Sequence, residues 1–251
     1  MNTEQIKGLH LKAADLNNYA IRLFDLDRTD ESLKAFKEAF ETLFSSIQDC
    51  SLEDDGHNET CYQEGNGKVP QSETIVISSN LCRPISLILK NDLLSVNTIK
   101  LSFAAILHNI ALVLFQKGSY DVAQNLLQMS LMSIQRNLCQ NTKKEVCPGA
   151  IFLVMSLHFN LGRTSYELNS NTIEVSIECF LDALEMGKEL VTQSTELNHR
   201  MLLPQVLVEL GQVLLQEQMI AEAVETFRQA STLYFPGISL ENKFAEAAAA
   251  A

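Results

Sequence analysis

The side chains able to do covalent or metal chemistry are scattered through this 251-residue sequence. The histidines are His10, His57, His108, His158 and His199, and the cysteines are Cys50, Cys61, Cys82, Cys139, Cys147 and Cys179. His57 and Cys61 stand four apart beside Asp54 and Asp55, a donor set that would converge only on a helix. Gly56, Gly65, Gly67 and the local negative charge oppose a helix there. Cys139 and Cys147 flank the polar stretch QNTKKEV, and zinc would want two more ligands at suitable spacing. They read instead as the edges of a loop. Ser51-Leu52-Glu53-Asp54 has the acidic surroundings of a kinase site, but so short a pattern recurs by chance. The sequence contains no GxSxG, P-loop, GxGxxG or HExxH. A nucleophile needs a base and oxyanion donors beside it, and no constellation here supplies them. The expectation is no catalytic residue, no metal and no cofactor.

Charge narrows the partners. With 31 acidic and 19 basic residues the net charge is −12, which disfavours nucleic acid and anionic lipid alike. The longest apolar-rich helix candidate, Phe103 to Phe115, is interrupted by His108 and Asn109, so no membrane span is expected. The N-terminus has no apolar signal core, and the cysteines form no regular framework. Free thiols in a reducing compartment follow, with a cytoplasmic location expected and the nucleus left open.

The elements that position these residues come from internal repetition. Ala20 and Leu23 are followed by Ser32, Phe36 and Ala39. Ala111 and Leu114 are followed by Ala123, Leu127 and Ser130, and Gly211 and Leu214 by Ala223, Phe227 and Ala230. All three series have steps of three, nine, four and three. A further unit starts at Gly162 and ends in Ser176, Phe180 and Ala183, with two extra residues around Asn169-Ser170-Asn171. The spacing predicts a helix, a short turn and an antiparallel helix, with a small residue on the first facing a large one on the second. Helices are expected over about 4–27, 30–48, 97–117, 119–138, 149–168, 172–194, 199–218 and 220–234. The fold class is all-α.

Two segments fall outside the repeat. Residues 49–73 hold Asp49, Glu53, Asp54, Asp55, Glu59, Glu64 and Glu73 against Lys68, seven minus one, or half of the net charge of −12. Such a stretch cannot bury enough apolar surface to order itself, which predicts a disordered acidic loop. Next, Thr74–Ser78 and Ile85–Leu89 are β-rich runs around a Ser-Asn and Arg-Pro break. They fit either a small β-hairpin or an extended segment packed against helices. The organisation is therefore 1–48 (first helix pair), 49–96 (insert) and 97–251 (three further pairs). An Ala-rich stretch after Pro236-Gly237 could cap the array.

The units resemble the tetratricopeptide repeat, whose signature is a Leu-Gly pair followed by Ala, Phe and Pro. The matching pairs are Tyr19-Ala20, Ile110-Ala111, Leu161-Gly162 and Leu210-Gly211, preceded in three units by Asn18, Asn109 and Asn160. The family's Trp is absent, and only Pro236 stands near its Pro. The later units lie about 50 residues apart rather than ~34, so helices or loops are longer. With its acidic insert and long later units, the chain also resembles tetratricopeptide-like proteins of algae. The resemblance implies an α-α superhelix whose first helices line a concave groove for a protein or peptide partner. It places Asn17, Ile21 and Phe24 in that groove, then His108, Leu112 and Phe115. Phe159, Arg163 and Tyr166 follow, and then Val208, Gln212 and Leu215. Only Arg163 among them is basic, which speaks against a clamp for a C-terminal carboxylate and for an apolar helix or extended peptide. The same residues could instead form core between long helices, and Asn18, Asn109 and Asn160 could bridge repeats. The implied function is an interaction scaffold. Self-association through exposed repeat ends and an unrecognised enzymatic or regulatory domain are the alternatives.

Overall fold

A computed structural model of the chain describes residues 3–51, 75–76, 78–88, 96–138, 147–168, 173–193 and 201–234. The helices are α1 (Thr3–Asp25), α2 (Thr29–Ser51), α3 (Val96–Gln116), α4 (Tyr120–Leu138), α5 (Pro148–Leu168), α6 (Ile173–Gln193), α7 (Leu202–Gln216) and α8 (Ile220–Tyr234). Helix α2 runs past the expected end of the first pair, to Ser51. The expected acidic loop (apart from that overlap), the Asn169 insertion, the Cys139 loop edge, the His57–Cys61 pair and the C-terminal cap lie outside the described residues.

One turn is built three times, which explains the constant nine-residue step. Asp27, Gly118 and Gln218 each have a positive φ, of 58°, 74° and 60°. The next residue's N–H reaches back five residues: Arg28 to the Leu23 carbonyl at 3.0 Å, Ser119 to Leu114 at 2.9 Å and Met219 to Leu214 at 2.9 Å. The left-handed residue itself donates to Phe24, Phe115 or Leu215. This is the Schellman ending, which satisfies the last carbonyls of a helix and reverses the chain. The following helix then opens its hydrogen-bond ladder from the N–H of Ser32, Ala123 or Ala223 to the carbonyl of Arg28, Ser119 or Met219.

Within each pair the small residue meets the large one. A Cβ on Gly162 would lie 3.1 Å from the Phe180 ring, and one on Gly211 would lie 2.7 Å from the Phe227 ring. Ala20, Phe36, Ala39, Ala111, Ala123, Leu127, Phe180, Ala183, Ala223 and Ala230 are all buried. The buried serines of the pattern tie helix to helix: Ser32 Oγ donates to the Ala20 carbonyl, Ser176 Oγ to Gly162 and Ser130 Oγ to Ala104, each at 2.8 Å. A hydroxyl in these positions is thus paired rather than stranded in the core.

The pairs stack in chain order, each second helix packing on the next pair's first helix. First helices also approach one another (α1 on α3, α3 on α5, α5 on α7), whereas second helices show no comparable contact among the described residues. An array that closes on one side curves toward it, so the first helices form the concave face of an all-α superhelix. Helices α3 and α5 are buried on nearly all sides, from Ala104 to Val113 and from Gly149 to Leu157. Contrary to the sequence expectation, α3 is long and apolar enough over Thr98–Gln116 to cross a membrane by length and composition alone. Two thirds of that stretch (67%) is buried inside the protein, as in a central core helix.

Candidate peptide-binding groove

The concave face is filled by the chain itself. Residues Ser79 to Leu87 run across the first helices from α7 to α1, against the order of the repeats. A tight turn starts the segment. Ser78 Oγ accepts the Asn80 N–H at 3.1 Å and Asn80 Oδ1 accepts the Cys82 N–H at 2.8 Å, a local geometry that Ser and Asn favour. Pro84 has no N–H to satisfy and biases Arg83 toward extended backbone. The stretch beyond it makes a single antiparallel bridge, Ile75 to Leu87, with the Val76 N–H donating to the Ser86 carbonyl at 3.1 Å. Among the described residues the segment is extended, and this one antiparallel bridge is the pairing seen between the two β-rich runs, whose Thr74, Ile77 and Leu89 lie outside the described residues. Side chains of the groove take the bonds that a partner strand would otherwise supply.

Those side chains are amides. On α7, Gln205 Nε2 donates to the Ser79 carbonyl at 2.6 Å while its Oε1 accepts the Leu81 N–H at 3.1 Å. On α5, Asn160 Nδ2 donates to the Leu81 carbonyl at 2.9 Å. On α3, Asn109 grips both groups of one residue: Oδ1 accepts the Ile85 N–H at 2.7 Å and Nδ2 donates to its carbonyl at 2.9 Å. On α1, Asn18 does the same for Leu87 at 3.0 and 2.8 Å, and Asn17 adds a second donor to the Ile85 carbonyl at 3.0 Å. An amide that presents one acceptor and one donor copies the edge of a β-strand. Main-chain contacts of this kind carry no preference for the side chains of the segment. Preference comes from Leu81, Ile85 and Leu87, which are buried between the helices.

A buried network links the clamps. Asn109 Nδ2 also donates to Asn17 Oδ1 at 2.9 Å. His108 Nδ1 lies 3.3 Å from Asn109 Oδ1, and its Nε2 lies 3.2 Å from Asn160 Nδ2. An amide oxygen only accepts and an amide nitrogen only donates, so the network assigns a neutral imidazole with its proton on Nδ1. Burial pushes the His108 pKa down to about 4, consistent with that state. Next to it, Arg163 donates to Cys82 Sγ at 3.3 Å and stacks over Phe115, 4.6 Å from the ring centre. Burial raises the Cys82 pKa despite Arg163, leaving a protonated thiol and a poor nucleophile.

The sequence-derived groove residues divide into three groups. Asn17 and Arg163 touch the segment, and His108 stands behind it. Leu112 and Phe159 are buried in the core, Phe159 edge-on to Phe180, while Ile21, Phe24, Phe115, Tyr166 and Val208 pack partly buried against it. Gln212 and Leu215 are exposed on α7. Sequence reasoning missed Gln205, which carries no repeat signal. The recurring Asn18, Asn109 and Asn160 were visible, and their shared place before the small residue is the signal that locates the clamps. Among the described residues no group of three or more His, Cys, Asp or Glu is placed to hold a metal.

A tetratricopeptide repeat profile matches residues 204–235, which spans α7 and α8. No curated protein sequence matches the chain. Among solved structures, a de novo designed helical repeat protein superposes with a TM-score of 0.37 at 13% identity, covering 92% of this chain and 93% of the design. Repeats of this kind generally mediate contacts between proteins and are typically not enzymes. Three of the four helix pairs share one spacing and the profile matches the last of them, so the chain is built of tetratricopeptide-like helical repeats.

Proposed function

We propose that the protein is an interaction adaptor whose concave groove receives an extended segment of a partner protein. The observation that carries this is the row of side-chain amides, Asn18, Asn109, Asn160 and Gln205, paired with the main chain of Ser79–Leu87. That row would serve any extended backbone, and the apolar anchor sites beside it would select the side chains. The few charges facing the groove suit an apolar segment better than an acidic tail. Photocrosslinking tests the reading. A photoreactive residue at Gln212, exposed on the groove helix α7, should capture proteins that the same residue at Lys37 on α2 does not. Identical captures from both positions would refute a groove-borne function.

Self-association is a second reading, supported by Ile220 and Val224, both 61% exposed on the last helix. Mass that rises with concentration in sedimentation, and stays flat for Ile220→Lys, would support it.

A further inference from the structure

We infer that Ser79–Leu87 is an internal pseudo-ligand: it holds the groove closed, and an extended peptide with the same anchor spacing opens it by exchange. The inference rests on the groove reading above and adds how that site is regulated and what displaces the segment.

Three observations separate this segment from permanent core. First, it lies in the insert between α2 and α3, outside the four-pair repeat, and neighbouring first helices touch one another directly without it. Second, its main chain is held chiefly by side-chain amides, with one β-bridge, from Leu87 to Ile75. A competing backbone can take over those amide bonds one for one, so exchange need not leave the buried Asn109 unpaired. Third, the anchors are interrupted by less buried positions: Leu81, Pro84, Ile85 and Leu87 are buried while Cys82, Arg83 and Ser86 among them are half-buried or exposed. The competitor is therefore an extended peptide with apolar side chains at positions one, four, five and seven, few demands at two, three and six, and a direction running from α7 to α1.

Tethering sets the strength of the closure. A segment linked to its own site competes at an effective concentration of about 1 mM. A free peptide of the same sequence must exceed that to enter the closed groove, however tightly the open groove binds it.

The test uses the full chain and a labelled peptide of residues 75–88, read by fluorescence anisotropy. Three proteins are compared: the wild type, the unseated variant Ile85→Asp/Leu87→Asp, and the unseated variant with Asn109→Ala added. The inference predicts that the unseated variant binds at least tenfold tighter than the wild type, and that adding Asn109→Ala reverses the gain. Equal binding to wild type and unseated variant would overturn the pseudo-ligand while leaving the groove reading intact. Binding to neither would overturn both. Should the unseated variant not fold, amide hydrogen exchange on the wild type decides. The Ile85 and Leu87 amides should exchange at least tenfold faster than the α3 amides of Ile110 and Ala111, through opening short of global unfolding. Exchange in step with α3 would make the segment permanent core and overturn the inference.

Discussion

Replacing Asn109 with Ala removes the centre of the clamp row, and the structure sets the cost. Asn109 is fully buried and makes three bonds under 3 Å: two to the main chain of Ile85 and one to Asn17. After truncation the Ile85 carbonyl keeps Asn17 Nδ2 as donor, at 3.0 Å. The Ile85 N–H and Asn17 Oδ1 lose their partners, and the His108 Nδ1–H loses its longer 3.3 Å contact. A buried polar group left unpaired costs about 1–3 kcal/mol, so the two short-bonded groups left without a partner in Asn109→Ala should cost roughly 2–6 kcal/mol. Asn109→Asp should do no better, because a carboxylate cannot donate to the Ile85 carbonyl and its charge would be buried. Urea unfolding followed by helical circular dichroism measures the loss, with the slope unchanged if the unfolded state is unaffected. The clamp also predicts a coupling. In an Ile85→Asp background the Ile85 main chain is no longer seated, so Asn109→Ala should cost at least about 1 kcal/mol less there. A loss below about 0.5 kcal/mol in the wild type, or full additivity with Ile85→Asp, would refute the clamp.

Other predictions follow from the same geometry. Gly211→Ala should destabilise by about 1–3 kcal/mol through its clash with the Phe227 ring. Gly8→Ala, where a Cβ meets nothing within 4 Å in mid-α1, should instead stabilise by about 0.5–1 kcal/mol; thermal melts of the two separate the effects. Gln218→Gly should stabilise by about 1 kcal/mol, since Gln218 holds a φ of 60° in the last Schellman turn, again read by melting. Burial lowers His10 and His108 from 6.5 to about 4, so the unfolded chain binds more protons than the folded one between those pH values. Their stabilising effect is complete above pH 6.5 and fades as the pH falls toward 4, by about 2 kcal/mol per histidine between pH 7 and 5. Unfolding free energies across that range, compared with His10→Gln, should show the smaller slope in the variant.

The helix pairs were legible because their causes are local. Ala20, Ala111 and Gly211 stand seven residues before Asp27, Gly118 and Gln218, and one turn geometry fixes that distance in all three units. The facing partners Phe180 and Phe227 were equally readable, since a small residue and a ring must coincide wherever two helices approach closely. For the groove occupant, an extended segment against helices was legible as one of two readings, but its place on the concave face and its partners were not. Ile85 meets Asn17 across 68 positions and Asn109 across 24, through main-chain atoms that leave no mark on side-chain type. His108 and Asn109 read as breaks in an apolar run, whereas they are the polar lining that lets an extended backbone lie against a core helix. Leu112 and Phe159 were placed in the groove by analogy and lie in the core, because first helices packed this closely bury more of their circumference.

The central claim is that side-chain amides of the concave face hold the main chain of residues 79–87. Nuclear Overhauser contacts in the wild-type chain with isotope-labelled asparagine test it most directly. The account predicts contacts from the Asn109 side-chain amide protons to Ile85 and from those of Asn18 to Leu87, with Asn109 slow to exchange with water. Asparagine amides that exchange freely and show no contact to residues 79–87 would contradict it.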